Sequence, residues 1–260
     1  MQADAVFRIA SMTKAVTAVA AMQLVEAGRI DLDEPLGTFF PALAAPRVLE
    51  GFADDGTPRL RPARGAITLR RLLTHTLGFA YEMWNADLQR FVAQTGFPSL
   101  STGLNAALET PLMFDPGTAW EYGIGIDWAG KVVEAVSGQR LDAYFADHIF
   151  SPLGVADTAF APTPAMAPRI AGLNMRAADG SLAPMDSPIP AGPTEFLSGG
   201  AGLLSTLDDY LTFLQMILHG GTWNGARLLR PETVALMGRD QLGGCRCGVW
   251  PVWFRSLAAT

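Results

Sequence analysis

The sequence predicts a globular chain built mainly of helices, with few and short strands, and three observations point there. An apolar run from Ala15 to Val25 is bounded by Ser11-Met12-Thr13-Lys14 and by Gly28, the outline of a helix with a glycine stop. Capped helical segments recur along the rest of the chain, whereas strand-like alternation is confined to stretches such as Val6–Ile9 and Arg169–Asn174. With 260 residues and 49% hydrophobic side chains there is material for a sizeable core, and no internal repeat or clean linker interrupts it.

In order along the chain, Val6-Phe7-Arg8-Ile9 forms a strand end or an extended lead-in to the first helix, which runs from about Met12 to Gly28. Arg29 to Pro41 gives a capped turn and a short helical segment. Pro46 to Gly65, with Asp55-Gly56-Thr57-Pro58, reads as a surface loop with room for a hairpin. Thr68 caps a helix through Leu73 that closes at His75. Residues 88–109 are helical with a Gly-Phe-Pro-Ser break, Asp115-Pro116-Gly117-Thr118 is a turn, and Trp128 to Val136 and Leu141 to Ile149 are helices, the former ended by Gly138. From Ala161 to Pro193 periodic apolar positions are scarce, so this is mostly loop, with a strand at Arg169–Asn174. A loop of that length is useful where it covers a site, which makes it a candidate lid. Ser198 to Gly202 is a close-packed turn, Thr206 caps a helix to about Leu218, Gly220 to Asn224 is a tight turn, and Pro231 opens a short helix.

Chemistry concentrates at Ser11 and Lys14. Three apart at a helix start, they share a face, so the amine reaches the hydroxyl one turn back. A serine hydroxyl becomes an effective nucleophile when a base takes its proton during attack, and a neutral amine can be that base. Backbone N–H groups of the first turn can serve an oxyanion. In an arbitrary sequence Ser-x-x-Lys is more often a helix cap beside a solvated lysine. Here the chain holds only two lysines, Lys14 and Lys131, among 19 basic side chains, so the pairing carries more weight.

Other candidates are weaker. No Gly-x-Ser-x-Gly elbow accompanies the three histidines, so His75 reads as a hydrogen-bonded structural residue rather than a triad member. Tyr122, within the aromatic-rich run Trp120–Trp128, either holds a phenol over a cleft or packs against Trp120 and Trp128; the residues leave both open. The glycines at 199, 200 and 202 lack the lysine of a phosphate-binding loop. Cys245-x-Cys247 offers too few ligands for zinc and sits too close for an unstrained bridge. The net charge of −6, with no basic block, argues against nucleic acid or an anionic membrane as partner. Ala15 to Val25 is too short to span a bilayer and lacks the layout of a secretory signal. The compartment is left open, with the cytoplasm slightly favoured, since Met1 stands only ten residues before Ser11.

Together these residues resemble the serine β-lactamase and penicillin-binding-protein superfamily, specifically the class C β-lactamase-like branch and its family VIII carboxylesterases. The resemblance is carried by Val6 through Lys14, Leu72-Leu73-Thr74-His75-Thr76, Pro116-Gly117 with Tyr122, Pro152-Leu153-Gly154 and Gly199 through Leu203, and extends to about Gly243. It implies an α+β, β-lactamase/transpeptidase-like fold in which Ser11 is the acylated nucleophile, Lys14 its base partner and Tyr122 the proton shuttle that assists the leaving group. Ile124 stands where lactamase-type relatives carry the asparagine of Tyr-x-Asn. The pattern from Tyr122 to Asp127 is similar to the esterase branch, so Ile124 and Asp127 are carried as substrate-binding positions.

An equivalent of Lys-Thr-Gly is missing, as are strands expected before Ser11 and after Gln241. The resemblance therefore implies one incomplete domain over residues 1–260, with a nearly complete helical region and an antiparallel sheet largely missing at both ends. Residues 1–204 hold the helices and loops, 205–244 return to the α/β region, and 245–260 are an atypical tail. The implied function is a serine hydrolase cleaving short-chain carboxylic esters through an acyl-enzyme, with weak β-lactam hydrolysis as a secondary activity. Its rivals are a β-lactamase or D-amino-acid peptidase, and a catalytically impaired truncated remnant. The expected partner is a small-molecule ester or β-lactam; the mechanism calls for no metal or organic cofactor, and the oligomeric state is not set.

Overall fold

A two-residue strand, β1 (Phe7–Arg8), and a single 3-10 turn over Ala10–Met12 lead into the helix on which much of the structure packs, α1 (Thr13–Glu26). The computed structural model describes residues 2–185 and 194–245. Val16, Val19, Ala20, Ala21, Met22 and Leu24 are all buried on α1, together with Thr13 and Thr17. A helix that is apolar on most sides belongs inside a fold rather than on its surface. Gly28, at φ 65°, turns the chain away after it.

A 3-10 turn over Leu36–Thr38 and the short α2 (Pro41–Ala44) precede a hairpin in the Pro/Gly-rich stretch. Its strands β2 (Arg47–Phe52) and β3 (Pro58–Pro62) run antiparallel with Leu49 opposite Leu60 and a register shift between Leu49 and Gly51. Thr68 caps α3 (Leu69–Leu73), its hydroxyl accepting from Arg71 N–H at 3.3 Å, and Asn85 caps α4 (Ala86–Thr95), accepting from Leu88 N–H at 2.9 Å. α5 (Gly125–Ser137) lies against α1 and α3. It starts three residues earlier than its sequence pattern suggests. Gly125 makes this possible: a Cβ there would lie 2.7 Å from the Leu72 carbonyl oxygen.

The next helix also runs past its expected end. α6 (Leu141–Phe145) passes through a π-wound turn over Ala146–Phe150 into α7 (Ser151–Leu153), which stops at Gly154. The strand expected at Arg169–Asn174 is displaced. Ala167–Arg169 is a 3-10 turn containing Pro168, and the Arg169 guanidinium is bidentate on Asp157 at 2.6 and 2.9 Å, so extended pairing starts only after Gly172. There β4 (Leu173–Arg176) and β5 (Leu182–Met185) form a largely exposed antiparallel hairpin. Of the proposed lid, 186–193 lie outside the described residues, as do Cys247 and the tail from 246.

β6 (Leu204–Ser205) returns to pair with β1, Phe7 opposite Ser205. α8 (Leu207–Leu218) follows its Thr206 cap, and β7 (Thr222–Trp223) and β8 (Ala226–Arg227) form a hairpin. α9 (Pro231–Met237) is tied back to the end of α1, because Arg230 N–H and Thr233 Oγ1 both donate to Glu26 Oε2, at 2.8 and 2.6 Å. Among the described residues the strands form four two-stranded antiparallel pairs. The main core gathers α1, α3, α5 and α6, with Leu72, Val133, Leu141 and Phe145 fully enclosed.

Candidate active site

Ser11 sits on the 3-10 turn just ahead of α1, and three long-range contacts fix that turn. Ile9 N–H donates to the Leu203 carbonyl at 3.1 Å, Leu203 N–H donates to Thr13 Oγ1 at 3.1 Å, and the Tyr210 hydroxyl donates to the Met12 carbonyl at 3.1 Å. Ala10, immediately before Ser11, is held at φ 44°, a left-handed conformation that costs a non-glycine residue on the order of 1 kcal/mol or more. His75 is held similarly, at φ 58°. Both strained residues flank the same site.

Lys14 Nζ lies 3.2 Å from Ser11 Oγ and 2.7 Å from the Gly200 carbonyl oxygen. It stands 4.6 Å from the centroid of the Tyr122 ring and 5.4 Å from that of Tyr81. The amine is therefore held by one carbonyl and two aromatic faces, within reach of the hydroxyl. Ser11 and Lys14 meet Tyr122 here, more than a hundred residues further along the chain.

Tyr122 is placed by an aromatic cluster: its ring is 4.7 Å from His75, 5.4 Å from Tyr81 and 5.4 Å from Trp84. His75 stays structural in its bonding, with Nδ1 accepting from Gly123 N–H at 3.4 Å and its carbonyl from Glu121 N–H at 3.0 Å. Burial, reinforced by the nearby Lys14 charge, pushes the imidazole down to about 3, so it is neutral at physiological pH. Burial also raises the Tyr81 phenol, helped by the Asp127 charge and by Tyr122. Desolvation raises Glu121 as well, against the hydrogen bond it accepts from Asn85 Nδ2 at 2.7 Å.

Beside Ser11 opens a largely apolar cavity of about 420 Å³. Tyr81, Trp84, Leu88, Leu100 and Ile124 contribute apolar wall, and Ser198 and Ala201 line it together with Ser11. Ile124 thus belongs to the cavity. None of the lid candidates between 161 and 185 lines it.

Asp127 does not reach the cavity, which corrects its assignment as a substrate-binding position. Its side chain is fully buried behind the Ser198–Gly202 turn, with Oδ1 accepting from Ser198 Oγ at 2.7 Å and from Gly200 N–H at 3.0 Å. Placing it at the start of α5 aims the carboxylate inward and keeps it out of the set of residues that line the cavity. Sequence reasoning missed Tyr81 and the Gly200 carbonyl as neighbours of Lys14, and Trp84 as a neighbour of Tyr122. The aromatic residues closely following His75 and the density of glycine at 199–202 were the available signals.

Among the described residues no helix is long and apolar enough to cross a membrane, and no group of three or more His, Cys, Asp or Glu side chains is gathered as a metal site.

The family profile described as Beta-lactamase matches residues 1–246. Monacolin J acid methylbutanoyltransferase from Aspergillus terreus is 40% identical over 241 residues, which cover 91% of this chain and 57% of the relative. A lovastatin esterase from Penicillium rubens is 37% identical over 250 residues, covering 93% of this chain and 61% of that protein. Unliganded simvastatin synthase (LovD) from Aspergillus terreus superposes with a TM-score of 0.83 at 39% identity, over 93% of this chain and 59% of its own. The chain spans little more than half the length of these relatives.

Proposed function

Because this chain belongs to the beta-lactamase family, we propose that it transfers acyl groups from carboxylic esters through an acyl-enzyme on Ser11, with water as an acceptor. The observation that carries this reading is the 3.2 Å approach of Lys14 Nζ to Ser11 Oγ at the edge of an apolar cavity. Ser11 Oγ attacks the ester carbonyl while its proton passes to the Lys14 amine. Tyr122, against that amine, returns a proton to the departing alcohol, and water then releases the acid. The cavity favours a short apolar acyl group, as in the short-chain esters that the sequence resemblance implies.

A second acceptor is favoured by the relatives. One is a methylbutanoyltransferase and another an esterase, so an alcohol competing with water for the same acyl-enzyme fits both names. β-Lactam hydrolysis is a lesser activity in this reading, because Ile124 offers an aliphatic side chain where an amide would hold the substrate carbonyl. An impaired remnant is the alternative that the intact Ser11–Lys14 contact disfavours.

A fluorophosphonate probe tests the reading. Labelling is expected in the unmodified chain and lost in Ser11→Ala; labelling that persists in Ser11→Ala refutes it. Comparing a chromogenic ester with a chromogenic cephalosporin, with and without an added alcohol, then ranks the activities.

A further inference from the structure

We infer that Asp127 is a positioning residue for the Ser11–Lys14 pair, acting from inside the fold through the Ser198–Gly200 turn and through its charge. The inference rests on the role proposed above for Ser11 and Lys14. Asp127 itself touches no substrate.

The connection is short. Asp127 Oδ1 accepts from Gly200 N–H at 3.0 Å, and the carbonyl of the same residue accepts from Lys14 Nζ at 2.7 Å. Ser198 Oγ, at 2.7 Å, gives the carboxylate a second donor. From the other side, Thr17 Oγ1 on α1 donates to the Gly199 carbonyl at 2.7 Å. The turn that holds the amine is thereby pinned to α1 by Thr17 and to α5 by Asp127. The fit allows no side chain, since a Cβ on Gly200 would stand 2.5 Å from Asp127 Oδ2.

Cost supports a functional reason for the residue. Asp127 Oδ2 is buried with no hydrogen-bond partner, and burial raises the carboxyl against the two bonds it accepts. A positive charge on Lys14 opposes that penalty, so the carboxylate is best compensated once the amine has taken a proton. An uncharged residue would be cheaper at this position if packing were its only duty.

The carboxylate matters when charge moves. As Ser11 Oγ forms its bond to the carbonyl carbon, the O–H bond breaks and the proton joins the lone pair of Lys14 Nζ. The new ammonium keeps its hydrogen bond to the Gly200 carbonyl and gains from the negative charge behind it. Asp127 takes up no proton. This is the duty of the carboxylate in a serine–histidine–aspartate triad, which orients the base and stabilises its charged form. Here a glycine peptide intervenes.

Asp127→Asn tests the inference, with Asp127→Glu as the variant that restores charge. The rate of Ser11 labelling by a fluorophosphonate and the hydrolysis of p-nitrophenyl butyrate are followed against pH, with thermal unfolding as the check on folding. The titratable groups facing the pair are Asp127 from α5, His75 and Tyr81 from the segment after α3, and Tyr122 from the loop before α5; His75, pushed down to about 3, is neutral over the range followed. Expected for Asp127→Asn are an acylation rate lower by about tenfold to a hundredfold, a nearly unchanged KM, and an acidic limb moved to lower pH, with partial recovery in Asp127→Glu. A folded Asp127→Asn chain that acylates within about twofold of the unmodified rate, its acidic limb unmoved, overturns the inference. Should the variant not fold, the carboxyl ¹³C shift of Asp127 in the unmodified chain decides: an ionised carboxylate at neutral pH supports the role and a protonated carboxyl overturns it. An unmodified chain that is never labelled at Ser11 refutes instead the reading on which this one rests.

Discussion

Replacing Gly123 by alanine should disable acylation far more than the size of a methyl group suggests. Gly123 follows Tyr122 directly, and a Cβ at this position would lie 2.2 Å from the Phe79 carbonyl oxygen, 2.5 Å from its carbonyl carbon and 2.6 Å from Ala80 Cα. All three are backbone atoms, so no rotamer change relieves the contact. Ordinary van der Waals approach begins near 3.4 Å, and one strand of chain must therefore yield by about 1 Å. The cost to stability is expected at about 1–3 kcal/mol. The Tyr122 ring, 4.6 Å from Lys14 Nζ, moves with the backbone, and a misplacement of about 1 Å can cost on the order of a hundredfold in rate. Stopped-flow release of p-nitrophenol, with urea unfolding in parallel, measures both quantities. A Gly123→Ala chain with unmodified acylation and unchanged stability would refute the claim that close backbone contact sets the position of Tyr122.

Three further outcomes are expected. Lys14→Arg should abolish fluorophosphonate labelling of Ser11, because a guanidinium stays protonated at neutral pH and cannot take the serine proton; intact-mass analysis after probe treatment checks this. Phe145→Ala should destabilise the chain by about 3–5 kcal/mol in urea unfolding, since the ring is fully buried and packs on Phe150 and Phe160. His75, pushed down to about 3 in the folded chain, is protonated more readily when unfolded, so it favours the fold above the ordinary histidine range, and that contribution is lost as pH falls towards 3. Urea unfolding from neutral to acid pH should show this loss, on the order of a few kcal/mol, and His75→Asn, which also accepts a left-handed backbone, should remove that part of the pH dependence.

Much of this architecture was legible because its determinants are local. Thr68 and Thr206 cap the helices the sequence assigned to them, and Gly28 and Gly138 end theirs in left-handed conformations. The Ser11–Lys14 contact was likewise readable, because three residues of helix bring two side chains together without help from the rest of the chain. The displaced strand after Arg169 was not, since it depends on an ion pair with Asp157, twelve residues away. Nor was the true place of Asp127. In sequence it sits five residues after Tyr122 in a pattern that suggests substrate contact, yet its direction is fixed by Ser198 and Gly200, over seventy residues on.

What the sequence conceals is a common device at the site. Four segments converge on Lys14: the start of α1, the segment after α3 that carries Phe79 and Tyr81, the stretch from Tyr122 to Asp127, and the turn at 198–202. They approach too closely for a side chain at the crossing points, as the contacts of Gly123 with Phe79 and of Gly200 with Asp127 show. Each glycine trades a side chain for proximity, and the proximity puts a phenol ring and a carbonyl oxygen on one amine. Local patterns announce the glycines but not what they let near. The Ser11–Lys14 contact can therefore be recognised from a tetrapeptide, whereas the orientation of the amine is a property of tertiary packing, and under the function proposed above substitutions at those crossings should reduce acylation while leaving Ser11 and Lys14 in place.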